Sequence, residues 1–146
     1  MSIPTHASLH GFIARSPVLS LLPDGTARMY ARVGVEHWRR EPDGAFTKLE
    51  TTFHDLVVFD TAAQRAYTQF WPGDVFVASG HIHTHSREHD DRSVACEEFV
   101  ARHIGHDTAR THYEVDRTPI NAHDPAPAPA PAQEAGVSRR MPGVGL

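Results

Sequence analysis

Between Thr51 and His85 the chain reads TTFHDLVVFDTAAQRAYTQFWPGDVFVASGHIHTH, a strand, a short helix and a second strand in close succession, and that order limits the folds open to the rest. In Thr51–Phe59, Phe53, Val57 and Phe59 fall on one face with Thr51 and Asp55, while Leu56 and Val58 fall on the other with His54. Side chains alternate along a strand, so apolar groups on both faces predict a strand covered on both sides. Thr61-Ala62-Ala63-Gln64 then has the form of a capping box, in which a Thr and a Gln three residues later satisfy the exposed N–H groups of a helix start. Ala62, Ala63, Ala66, Tyr67 and Phe70 supply the helix with an apolar stripe, and Pro72-Gly73 ends it. From Asp74 to His85, Phe76, Ala78, Gly80, Ile82 and Thr84 alternate with Val75, Val77, Ser79, His81, His83 and His85, the pattern of another strand.

Upstream, Thr5–Ala14 alternates Ala7, Leu9 and Gly11 with Ser8, His10 and Phe12, and Ser16–Leu22 carries this first strand toward the turn signal Pro23-Asp24-Gly25. Thr26–Trp38 has an apolar face of Ala27, Met29, Ala31, Val33 and Val35 and a second face of Arg28, Tyr30, Arg32, Gly34, Glu36 and Trp38. Glu41-Pro42-Asp43-Gly44 predicts the tip of a hairpin whose return arm is the Thr51 strand, with Arg39, Arg40, Phe46 and Lys48 on an arm-like loop. After a polar turn over Arg87–Arg92, Ser93–Ile104 alternates as a last strand. Three strands, a short helix and two strands predict an all-β fold, a five-stranded barrel of the OB type with the helix between strands 3 and 4.

A chain of 146 residues suffices for one such domain and a tail. We expect the domain over residues 1–115 and a disordered Pro/Ala-rich tail over 116–146, because the Pro-Ala alternation of Asp124–Ala132 favours an extended spacer. The single Cys96 cannot form an internal disulfide, no secretory signal opens the chain, and no run approaches the ~20 apolar residues that span a bilayer. A cytoplasmic, nucleoid-associated protein is the expectation. The net charge of -4 runs against the basic footprint usual in nucleic-acid binders, so any such surface has to be a local patch. Lys48 is the only lysine, which leaves phosphate contacts to arginine or protonated histidine.

The Arg28–Trp38 face supplies such a patch. It interleaves cations with flat rings, the pairing that single-stranded nucleic acid asks of a surface. From Ser8 to Ile104 the chain resembles the bacterial single-stranded DNA-binding proteins, most densely in TTFHDLVVF, the helix and WPGDVFVASGHIHTHS, with Arg32-Val33-Gly34-Val35 and Trp38 similar to the family's second strand and its stacking ring. The resemblance implies binding of single-stranded DNA with little sequence preference, protecting it in replication, recombination or repair, without catalysis and as a homotetramer. It implies base stacking on Trp38, Phe53 and Phe59, with Arg28, Tyr30, Arg32, Arg39, Arg40 and Lys48 around them. Where the family usually has a further ring this chain has Arg87, whose guanidinium can itself stack.

His83 and His85 stand where the family commonly carries basic residues. Each has a reference pKa of about 6.5, so binding is expected to strengthen as pH falls from about 7.5 to 6. An affinity for oligo(dT) that is flat over that range at fixed salt would remove this expectation. The chain holds twelve histidines, and His81, His83 and His85 share one face with His89 just beyond. Alternate histidines on a strand can share a metal, but the more ordinary role is that of solvated surface residues, since no cysteine cluster or HExxH accompanies them. We therefore expect no metal and no cofactor.

Cys96 falls in an alternating strand and is expected to be a buried, inert thiol, and neither GxSxG nor a phosphate-cradling glycine motif is present, so no enzyme is expected. The chain ends SRRMPGVGL, without the acidic, aromatic tip through which the resembled family recruits replication and repair partners, so the resemblance does not extend to recruitment by the tail. Two other classes remain open: an OB-fold interaction module without DNA binding, and a metal-binding protein using the histidine face.

Overall fold

The computed structural model describes residues 1–120. The expected Pro/Ala spacer and the basic chain end lie outside the described residues. Within them the elements run β1 Ala7–Ile13, β2 Val18–Leu21, β3 Ala27–Val35, β4 Trp38–Arg40, β5 Phe46–Lys48, β6 Thr52–Phe59, α1 Asp60–Gln69, β7 Val75–His89 and β8 Arg92–His106. Their pairing makes a ring. β1 and β2 pair in succession along one edge of β3, with Ile13 opposite Val33 and Leu19 opposite Met29. β3 pairs with β6, placing Ala31 opposite Leu56. β6 runs parallel to β8, with Leu56 opposite Phe99. β8 pairs with β7, and β7 returns to β1 with Leu9 opposite Ala78. The expected OB-type barrel is therefore closed, its helix lying between the third and fourth strands of the ring.

The apolar face expected for the second strand fills the barrel. Ala27, Met29, Ala31 and Val33 are buried with Leu56 and Val58 of β6, Phe76 and Ala78 of β7, and Phe99 and Ala101 of β8. Helix α1 adds Ala63, Ala66 and Phe70, while Ala62 and Tyr67 are partly buried against the same core. His106 stacks on Phe70 with ring centroids 4.1 Å apart, and its Nε2 lies 3.0 Å from Asp74 Oδ2, which also accepts the Trp71 N–H. These contacts fasten the turn after the helix to the end of β8. At the β7 bulge, a methyl group on Gly80 would collide with the Val100 carbonyl, so the close approach of the two strands requires glycine there.

Three local expectations need correction. The capping box does not form: the helix starts at Asp60, which places Thr61 inside the first turn, and its N-terminus has no side-chain cap. Asp60, with φ of 66°, instead puts a carboxylate at the positive end of the helix dipole. The Thr26–Trp38 strand ends at Val35, and Trp38 opens β4, which pairs only with β5 around the Glu41–Gly44 turn. The last two strands are longer than expected. Asp90 and Asp91 both have positive φ, 52° and 60°, and such a two-residue turn matches strand twist, so residues 87–92 continue the ribbon to its tip.

Candidate nucleic-acid interface

Residues directly opposite in paired strands share a face, so the register settles what stands beside what. On the outer side of the barrel one row runs Arg32 on β3, Asp55 on β6, Glu98 on β8 and His83 on β7. The next row runs Tyr30, Val57, Val100 and His81. Arg28 lies opposite Phe59 at one end of β6, and Gly34 opposite Phe53 at the other. Farther along the ribbon, His85 faces Cys96, which is partly exposed rather than the buried thiol expected because β8 here lies in the ribbon beyond the core, and Arg87 faces Val94. Arg28, Tyr30, Arg32, Phe53, Phe59, His83, His85 and Arg87, all singled out from the sequence, therefore occupy one continuous outer surface.

At its centre sits a carboxylate. Tyr30 Oη donates to Asp55 Oδ1 at 2.7 Å, and Arg32 Nη1 donates to the same oxygen at 2.7 Å. Burial works against ionisation of Asp55, but the Tyr30 hydrogen bond, then the Arg32 hydrogen bond and charge, with a contribution from Arg87, hold its carboxyl below the ordinary value. Burial, reinforced by the hydrogen bond to Asp55 and that residue's negative charge, raises Tyr30 above its usual range. Asp55 thus stays ionised at neutral pH, and it draws on the charge of the central arginine.

The rings gather at the Gly34 end. A side chain on Gly34 would collide with the Phe12 ring, so that ring lies across the glycine and meets Phe53 edge-on at 6.4 Å. Phe53 is 49% exposed and Trp38 55%, so both offer ring surface to a base. Trp38, Phe12, His10, Glu36, Val75 and Arg110 line one shallow depression. On the β4–β5 arm the alternation puts Trp38 and Arg40 on one side with Lys48 and Phe46 opposite them. Lys48 lies over Trp38 at 5.9 Å, Arg40 over Phe46 at 6.0 Å, and Lys48 also pairs with Glu36 at 3.0 Å. Arg39 points to the other side, where it pairs with Glu41 at 3.0 Å, so it does not join the other cations.

Phe12, Phe46, Asp55 and Glu98 belong to this surface without having been singled out as site residues from the sequence. Phe12 already shared a face with Ser8 and His10 in the first strand, but its part depends on Gly34, a partner distant along the chain. Glu98 is visible only once β8 is set in register with β7.

The model of the Single-strand binding protein family matches residues 4–107. No protein of curated function matches the chain in sequence. Among solved structures, the small single-stranded DNA-binding protein from Streptomyces coelicolor superposes with a TM-score of 0.62 at 24% identity, covering 73% of this chain and 96% of that one. The Plasmodium falciparum SSB in complex with ssDNA gives a TM-score of 0.59 at 15% identity, covering 73% and 96%. A deletion mutant of the single-stranded DNA binding protein from Thermus aquaticus gives 0.57 at 15%, covering 68% of this chain and 48% of that one.

Proposed function

We propose, because this chain belongs to the single-strand binding protein family, that it holds single-stranded DNA across the outer face of β3 and β6, the β4–β5 arm and the β7–β8 ribbon. Bases stack on Trp38, Phe53 and Phe59, and phosphates meet Arg28, Arg32, Arg40, Lys48 and Arg87. Such contacts use the flat face of any base and the charge of any phosphate, so little sequence preference follows. The observation that carries this reading is the alternation of cations with rings on one surface: Arg28 beside Phe59, Arg32 one row from Tyr30, and Phe53 against Phe12. Family members bind DNA and catalyse no reaction, and this protein coats its ligand in the same way, protecting it in replication, recombination or repair.

The DNA-binding unit is residues 1–115, with 116–146 as a tether. It works as a homo-oligomer, a tetramer by analogy with the family, in the cytoplasm at the nucleoid. Among the described residues no helix is long and apolar enough to cross a membrane.

The test is a titration with oligo(dT) followed by tryptophan fluorescence at two salt concentrations. Quenching that weakens with salt is expected, and Trp38→Phe should remove most of it, which assigns the signal to Trp38 rather than Trp71. Unchanged fluorescence together with an absent gel shift would overturn the DNA-binding reading in favour of an interaction module.

A further inference from the structure

We propose that His83, His85 and Glu98 form a site for a zinc-class divalent ion that bridges the two strands of the β7–β8 ribbon. His83 and His85 share one face of β7, and Glu98 faces them from β8, directly opposite His83. One donor atom from each of the three lies within 4.8 Å of the others. The two imidazoles are stacked, centroids 5.5 Å apart and planes 23° from parallel. Donors about 2.0–2.2 Å from a tetrahedral ion stand about 3.3–3.5 Å apart, so modest side-chain rotation closes this group around one ion.

Two observations separate this trio from a patch of solvated histidines. His85 Nδ1 is buried and lacks a hydrogen-bond partner, the one such side-chain atom among the described residues. A buried polar atom of this kind is ordinarily partnered, and a metal ion supplies the missing partner. The Glu98 side chain is only 17% exposed, and its ionic contact is His83 Nδ1 at 3.5 Å, long for a good hydrogen bond. The carboxylate is thus held close to both rings without being used up by either.

Two imidazole nitrogens and one carboxylate oxygen suit Zn2+ and its transition-metal neighbours, whereas calcium and magnesium favour all-oxygen cages. His83 is half-exposed, which leaves a fourth position open to water. The neighbouring histidines stand apart from the set: His81 faces Val100, and His89 at the ribbon tip lies 3.4 Å from Asp90. Spacing along β7 alone suggested His81, His83 and His85, but cross-strand pairing replaces His81 with Glu98.

The experiment is calorimetric titration of the full chain, first stripped with a chelator, with zinc chloride at neutral pH and without DNA. One ion per chain is expected. Glu98→Gln and His85→Ala should each weaken uptake at least about tenfold, the loss that even second-shell partners cause, while His81→Ala and His89→Ala should leave it unchanged. Imidazole resonances of the unsubstituted protein provide a readout independent of variant folding, and equimolar zinc should shift those of His83 and His85. No uptake, uptake indifferent to Glu98→Gln, or shifts confined to other histidines would overturn the site. Because no nucleic acid is present, that failure is distinct from failure of the DNA-binding reading.

Discussion

At the scale of single residues the decisive side chain is Asp55, a negative group at the centre of a surface that is to meet phosphates. It occupies Arg32 and Tyr30, so Asp55→Asn should release a guanidinium and remove a repulsive charge together. Tighter oligo(dT) binding is expected, with the slope of log K against log salt steeper by about 0.7, the increment for one added phosphate contact on a single strand. A slope and affinity equal to wild type would show that Arg32 does not reach the ligand. The same residue has an acid signature. Folding holds its carboxyl below the ordinary 3.8, so its contribution to stability is complete above that value and lost as pH falls through the lower folded value. The difference in urea midpoint between wild type and Asp55→Asn should therefore narrow below about pH 4. Trp38→Ala or Phe53→Ala should each cost about 1–3 kcal/mol of oligo(dT) affinity, the range for one stacked base. That Phe53 and Phe59 share a face was readable in the sequence because alternation alone defines a face, but apolar groups on both faces predicted a strand covered on both sides, whereas Phe53 is exposed. Phe12 and Glu98 were not readable, since each owes its place to a strand far away in the chain.

Among the elements, the β7–β8 ribbon departs most from expectation. Strand alternation is visible from Val75 onward, but the composition of residues 87–92 resembles a loop, and only the left-handed Asp90-Asp91 pair shows that the ladder continues to the tip. Glycine adopts positive φ without the side-chain penalty that other residues carry, so Asp91→Gly should stabilise the ribbon tip by up to about 1 kcal/mol. Hydrogen exchange of ribbon amides is the suitable measurement, because the tip opens locally while the barrel stays closed. At the other end of the ribbon, Gly80→Ala forces a methyl group against the Val100 carbonyl and should destabilise the fold by about 1–3 kcal/mol in a urea melt. A midpoint within error of wild type would mean that the bulge moves aside freely. The helix was readable from its stripe and its Pro-Gly stop, but its cap was not, because the boundary lies two residues earlier and leaves Thr61 inside. The break between β3 and β4 was hidden for a similar reason: alternation continues through Glu36, while pairing with the barrel does not.

For the whole molecule, closure of the ring explains why a modest chain keeps a two-sided sheet stable. The inner face packs the core and the outer face is left for a ligand, and among the strands of the described residues the β4–β5 arm and the ribbon tip extend outside the barrel. The order of strands and helix made this architecture readable in advance, whereas the number of chains in the assembly depends on surfaces that carry no such pattern. Sedimentation should give a species several times the 16.2 kDa of one chain, and a monomer at micromolar concentration would remove the tetramer from the proposal. The chain's only lysine is placed directly over Trp38. Amine-directed chemistry therefore has one side-chain target, and acylating it would neutralise a charge and crowd an indole at once. A fluorophore coupled there would perturb the surface it was meant to observe, and immobilisation through amines would turn that surface toward the support.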